Sequence, residues 1–134
     1  MSGFLPGVGR EGAGRAAMEN RMKILVTGGR DFGDRNLLFS GLDRIHAENP
    51  ITMIIHGGAK GADALASEWA ASRGVPVEVF KPNWRLGRHA GLQRNNDMLA
   101  SKPELVVAAP GGKGTADMVA KAKKASLKVV KLVE

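Results

Sequence analysis

The chain has 134 residues, 43% of them hydrophobic and 25% charged, which suits one soluble domain with a buried core. It holds no cysteine, which excludes disulfides, thiolate chemistry and cysteine-based metal sites, and no apolar run approaches the roughly 18 residues of a membrane span. A formal net charge of +7 favours acidic partners, meaning phosphates, nucleotides or nucleic acid. A cytoplasmic protein with no membrane partner is the expectation.

Residues 1–21 are rich in glycine and alanine without apolar periodicity, and read as a disordered extension. Their Gly7-x-Gly9-x-x-Gly12 has the letters of a dinucleotide fingerprint, but no strand precedes it, so it is read as chance. The folded domain is expected over residues 22–134. Lys23–Thr27 is predicted as a first strand, running into Gly28-Gly29-Arg30. Asp34 then caps a helix whose apolar face is Leu38, Gly41, Leu42 and Ile45. Thr52–Ile55 reads as the second strand and enters His56-Gly57-Gly58-Ala59-Lys60-Gly61.

Ala62, Leu65, Ala66, Trp69 and Ala70 recur at helical spacing to Arg73, where Gly74 is the stop. Val75–Phe80 is a third strand, and a loop with Pro82 leads to a weaker helix around Arg88–Ala100. Glu104–Ala109 is the fourth strand, Thr115–Ala125 a helix and Lys128–Val133 the last strand. Strands alternating with helices imply an α/β fold: one Rossmann-like, doubly wound parallel sheet of about five strands, with helices on both faces. The sheet order expected is 3-2-1-4-5, with ligands outside the carboxyl ends of the strands where the order reverses.

The turns after strands one, two and four all fall at that edge. Pro110-Gly111-Gly112-Lys113-Gly114-Thr115 joins a buried strand to a helix, so unpaired backbone N–H groups and the positive helix end converge on one spot suited to an anion. In the first turn, Gly28 and Gly29 allow close approach, and Arg30 is either a phosphate clamp or a surface ion-pair partner. In the second, Gly57, Gly58, Ala59 and Gly61 free the backbone, and Lys60 is in reach of a phosphate. Asp63 either stabilises the helix dipole or accepts ribose hydroxyls, while His56, alone at a strand end, reads as structural. No histidine-and-carboxylate set has metal-ligand spacing, so no metal or other cofactor is expected.

Between Pro82 and Gly91 the chain carries Trp84, Arg85, Arg88 and His89, which together offer a stacking surface and positive charge, although Trp84 also suits a core position. Arg94, Asn95, Asn96 and Asp97 then interrupt what would be an apolar helix face, and Arg94 and Asn95 are read as functional. The lysines crowding the last helix and strand read as solvated surface.

Four blocks carry a family resemblance: Gly28-Gly29-Arg30; His56-Gly57-Gly58-Ala59-x-Gly61-Ala62-Asp63; Trp84 with Gly91-x-x-Arg94-Asn95-x-x-Met98; and Pro110-Gly111-Gly112-x-Gly114-Thr115. With these in order over most of residues 22–134, the chain resembles the SLOG superfamily, and within it the stand-alone YspA-like, cpYpsA-related proteins. The superfamily also includes LOG phosphoribohydrolases and DprA/Smf DNA-processing proteins. The resemblance implies a nucleotide-derived ligand over the glycine turns, and a homodimer is compatible with it. In LOG-type enzymes a glutamate three residues after the threonine helps to cleave an N-glycosidic bond. Here that position is Met118, and Asp117 is the nearest carboxylate.

Three readings follow. The first is a nucleotide-binding domain, as a binder alone. The second adds hydrolysis at the N-glycosidic bond, with Asp63, Asp97 or Asp117 orienting water or stabilising oxocarbenium-like charge. The third is a single-stranded nucleic-acid binder of DprA/Smf type, using Lys81, Trp84, Arg85 and Arg88.

Overall fold

Residues 21–133 are described by a computed structural model. The extension expected over residues 1–21 lies outside the described residues apart from Arg21, as does its glycine fingerprint. Five strands form one sheet in the order β3-β2-β1-β4-β5, with every pairing parallel. They are β1 (Lys23–Thr27), β2 (Met53–His56), β3 (Val77–Val79), β4 (Leu105–Ala108) and β5 (Val129–Lys131). Four helices connect them: α1 (Arg35–Glu48), α2 (Ala62–Arg73), α3 (Ala90–Ala100) and α4 (Lys113–Lys124), with a short 3-10 segment at Trp84–His89 before α3. This is the doubly wound order that the sequence pattern implies.

The alternation of side chains along the strands divides the core in two. Ile24, Val26, Ile54 and Val107 face α1 and α2, where they pack with Leu38, Leu42, Ala66 and Trp69. Leu25, Ile55 and Val106 face the opposite way, onto Met98 of α3 and Met118 and Ala122 of α4. Because β1, β2 and β4 are buried on both sides, they read as continuous apolar runs instead of alternating ones.

Local chemistry sets the element ends. The Asp34 carboxylate accepts from the Leu37 amide at 3.0 Å and starts α1. Gly74, in the left-handed region at φ +70°, closes α2, and the Val75 amide donates back to Ala70 O. Val75 therefore belongs to the helix closure, and β3 begins two residues later than its apolar run suggests. The 3-10 segment is broken at Gly87, whose φ of +74° turns the chain before α3.

Candidate functional site

The turns after β1, β2 and β4, with the first turns of α2 and α4, border an open cleft of about 660 Å³ at the carboxyl edge. The α3 residues Arg94, Asn95 and Met98 line it from below, and Lys81, Pro82 and Trp84 line it from the loop after β3. The turns are packed tightly against one another. The Gly29 amide donates to Pro110 O at 2.8 Å, and the Ala62 amide donates to Gly29 O at 3.2 Å. At Gly61, with φ +71°, any Cβ would strike the carbonyl oxygens of Gly29 and Arg30. Glycine is what lets the first and second turns touch.

The turns differ in what their amides have left to offer. In the second turn, Gly57 N and Ala59 N both donate to Asp63 Oδ2, at 3.1 and 3.2 Å, and Gly58 N donates to His56 Nδ1 at 2.9 Å. Those donors are occupied by the protein itself. At the start of α4 no side chain caps the helix, its first turn carries no acidic residue, and the first backbone bond runs from Ala116 N to Gly112 O. Gly112, Lys113, Gly114 and Thr115 all line the cleft there. Of the three anion-suited turns read from the sequence, the fourth-strand turn keeps the arrangement that an anion needs.

Arg94 supplies charge to the same cleft. Its Nη1 donates to Gly57 O at 2.8 Å and its Nε to Asn95 Oδ1 at 3.2 Å, which uses two of the five donors that a guanidinium carries. A Cβ at Gly57 would collide with the guanidinium, so glycine makes its seat. Asn95 is buried and locks α3 to α4, donating through Nδ2 to Gly114 O at 3.2 Å and to Asp117 Oδ2 at 3.0 Å. Asp63 acts on the same assembly by holding Gly57 and Ala59.

Burial pushes the Asp63 carboxyl above its ordinary value, against the pull of the Ala59 and Gly57 amides and the neighbouring His56 and Arg94. Burial also holds the His56 imidazole below 6.5, with Asp63 opposing and Arg94 adding to the effect. The bonds agree with a neutral ring, because Nδ1 must stay unprotonated to accept from Gly58 while Nε2 meets Ser67 Oγ at 2.6 Å. A lowered folded-state pKa contributes stability that is present above 6.5 and lost as pH falls toward the folded value. Chemical-denaturant melts from pH 8 downward are expected to show stability dropping below about pH 6.5, with a shallower drop in His56→Gln.

The candidate residues separate by position. The cleft brings together Gly28, Gly29, Arg30, Gly57, Gly58, Ala59, Asp63, Trp84, Arg94, Asn95, Gly112, Gly114 and Thr115. Pro110 and Gly111 border a neighbouring groove beside β5, and Gly111 allows close contact with Gly29 and the Thr115 hydroxyl. Trp84 is 65% exposed, so it is not a core residue. Asp97 lies outside the cleft lining, exposed, and accepts from Gln93 Nε2 at 3.1 Å. Asp117 stands behind Asn95 and pairs with Lys121 at 3.0 Å.

Met118 is fully buried against Leu25 and Val106 and does not reach the cleft. Lys60 is exposed and does not line it either. Lys113, passed over in the sequence, does line it; a lone lysine at a helix start carries little signal of its own. Among the described residues, no group of three or more His, Asp or Glu side chains is placed to hold a metal ion. Nor is any helix of those residues long and apolar enough to cross a membrane.

Two comparisons bear on this cleft. A family model described as YspA, cpYpsA-related SLOG family matches residues 22–87, which contain the first two turns and Trp84. The Gene 61 protein of Mycobacterium phage D29 is 32% identical over 117 residues, spanning 81% of this chain and 94% of the phage protein.

Proposed function

The chain belongs to the YspA, cpYpsA-related SLOG family, as its four motifs imply, and we propose that it binds a phosphate-bearing, nucleotide-derived ligand without cleaving it. One observation carries this reading. The uncapped N-terminus of α4 and the half-buried Arg94 line the same cleft, so backbone donors, a helix dipole and a fixed cation are all presented to the space a phosphate-bearing ligand would occupy. The domain that does this is residues 22–134, acting in the cytoplasm, with Gly28 and Gly29 letting the first turn pack against Ala62, Ala109 and Pro110 at the cleft wall instead of making room for the ligand.

The three candidate catalytic carboxylates support binding over hydrolysis. Asp63 is occupied by two amides, Asp97 by Gln93, and Asp117 by Asn95 and Lys121. A general acid or base needs hydrogen-bond reach to the scissile bond, and the LOG-type position is the buried Met118. The test is thermal stabilisation of the full chain by a panel of nucleoside phosphates, with free base assayed in the same samples. Stabilisation with no base released is expected. Release of base overturns the claim of binding without cleavage, and no stabilisation overturns the whole reading.

The exposed run Lys81, Trp84, Arg85 and Arg88 favours a second reading, single-stranded nucleic-acid binding. Affinity for an oligonucleotide that falls steeply with salt, through counterion release, would support that reading.

A further inference from the structure

The charged residues of the cleft are spread out instead of gathered at one point. Lys81 follows β3, Arg30 follows β1, Lys113 opens α4 after β4, and Arg94 rises from α3 to the end of β2. Neighbouring strands are about 4.8 Å apart, so the row of strand ends from β3 to β4 is roughly 14 Å long. That is farther than the single phosphate of a mononucleotide stands from its own base.

These four cations face two carboxylates in the lining, Asp31 and Asp63, and Asp63 already serves two amides. Burial disfavours the charge on Arg94, Asp63 offsets part of that, and the neighbouring Arg30, which lines the same cleft, adds to it. An anion beside the two guanidiniums would relieve the crowding of charge on Arg94, at the β1 and β2 ends of the row, while the α4 terminus lies at the β4 end. At the β3 end stands Trp84, an exposed indole with no ring or cation stacked on it among the described residues. An aromatic face beside a row of cations matches a base followed by phosphates.

We infer that the cleft takes a nucleoside diphosphate unit laid across the strand ends, with its base against Trp84, one phosphate between Arg30 and Arg94, and the other at the α4 N-terminus. This rests on the phosphate-binding reading above and adds the length and direction of the ligand. Free nucleoside diphosphates and diphosphate-linked nucleotide sugars share this chemistry.

Calorimetric titration of the full chain with the four ribonucleoside mono- and diphosphates, inorganic diphosphate and UDP-glucose tests it. For at least one base, the diphosphate is expected to bind ten-fold or more tightly than its monophosphate, and Arg30→Gln should erase most of that preference. UDP-glucose binding more tightly than UDP identifies the linked form as the source, and the reverse identifies the free diphosphate. Binding should also change tryptophan fluorescence in the native chain and leave it unchanged in Trp84→Leu. The other indole, Trp69, is fully buried on the far face of the sheet with its N–H on Asp43. Equal affinity for mono- and diphosphates overturns the inference while the phosphate reading stands. Inorganic diphosphate binding as tightly as the nucleotides, unaffected by Trp84→Leu, overturns the placement of the base. Failure of every phosphate compound to bind removes the inference and its premise together.

Discussion

Gly112→Asp is expected to leave the fold at least as stable as the native chain and to weaken ligand binding about a hundredfold. Gly112 precedes the first residue of α4, its φ is −98°, and a Cβ there would meet nothing within 4 Å. Aspartate is among the most favoured residues at that cap position, where its carboxylate accepts from amides of the first turn and typically adds about 1 kcal/mol. Those amides are the ones a phosphate would use, and the new charge repels it. Losing two charge-assisted hydrogen bonds costs on the order of 3 kcal/mol, roughly a hundredfold in affinity.

Stabilisation by ligand at a hundred times the native Kd, about 2.7 kcal/mol in the native chain, should fall to about 0.4 kcal/mol. Thermal melts with and without nucleoside phosphates read both quantities at once. Full stabilisation in the variant would move the phosphate away from α4. Gly112→Asn, a neutral cap, is expected to fall between the two.

Met118→Glu is expected to destabilise the fold by about 3–5 kcal/mol and to gain no hydrolase activity. The native side chain is fully buried against Leu25 and Val106, so the introduced carboxylate loses its hydration with no cation provided for it. Burial raises the pKa of such a group. The deficit is therefore full at neutral pH and shrinks as pH falls through the raised value toward the ordinary glutamate value of about 4.3. Urea titrations at pH 7 and pH 4.5 would show this as a gap that narrows in acid. Near-native stability at pH 7 would mean that the side chain reaches the cleft after all, and the hydrolytic reading would then regain its missing group.

Much of the frame was legible because its signals are local. β1 and α2 have the predicted bounds, set by an apolar run, by helical spacing and by Gly74. α4 begins at Lys113 instead of Thr115, because two helix-disfavouring glycines hid a turn that the surrounding packing holds. The glycine turns were also visible as glycines, and that was the limit of what they disclosed. Which amides remain free depends on Asp63 and His56 reaching back into the second turn, a three-dimensional fact with no signature in spacing. Met118 is similar. Its identity could be read, but its direction into the sheet depended on how α4 rolls against β1 and β4.

The place of β1 in the sheet has a bearing on how the chain comes to be made. β1 lies centrally, between β2, which is synthesised soon after it, and β4, which arrives some eighty residues later. Until residues 105–108 emerge, one edge of its Lys23–Thr27 backbone has no partner, and a bare apolar edge is a template for pairing with other chains. Any product cut short between β3 and β4 would keep two of the three glycine turns yet have neither α4 nor a closed sheet. Such a fragment is expected to aggregate instead of serving as a smaller binding protein, because β4 is what closes the open edge of β1.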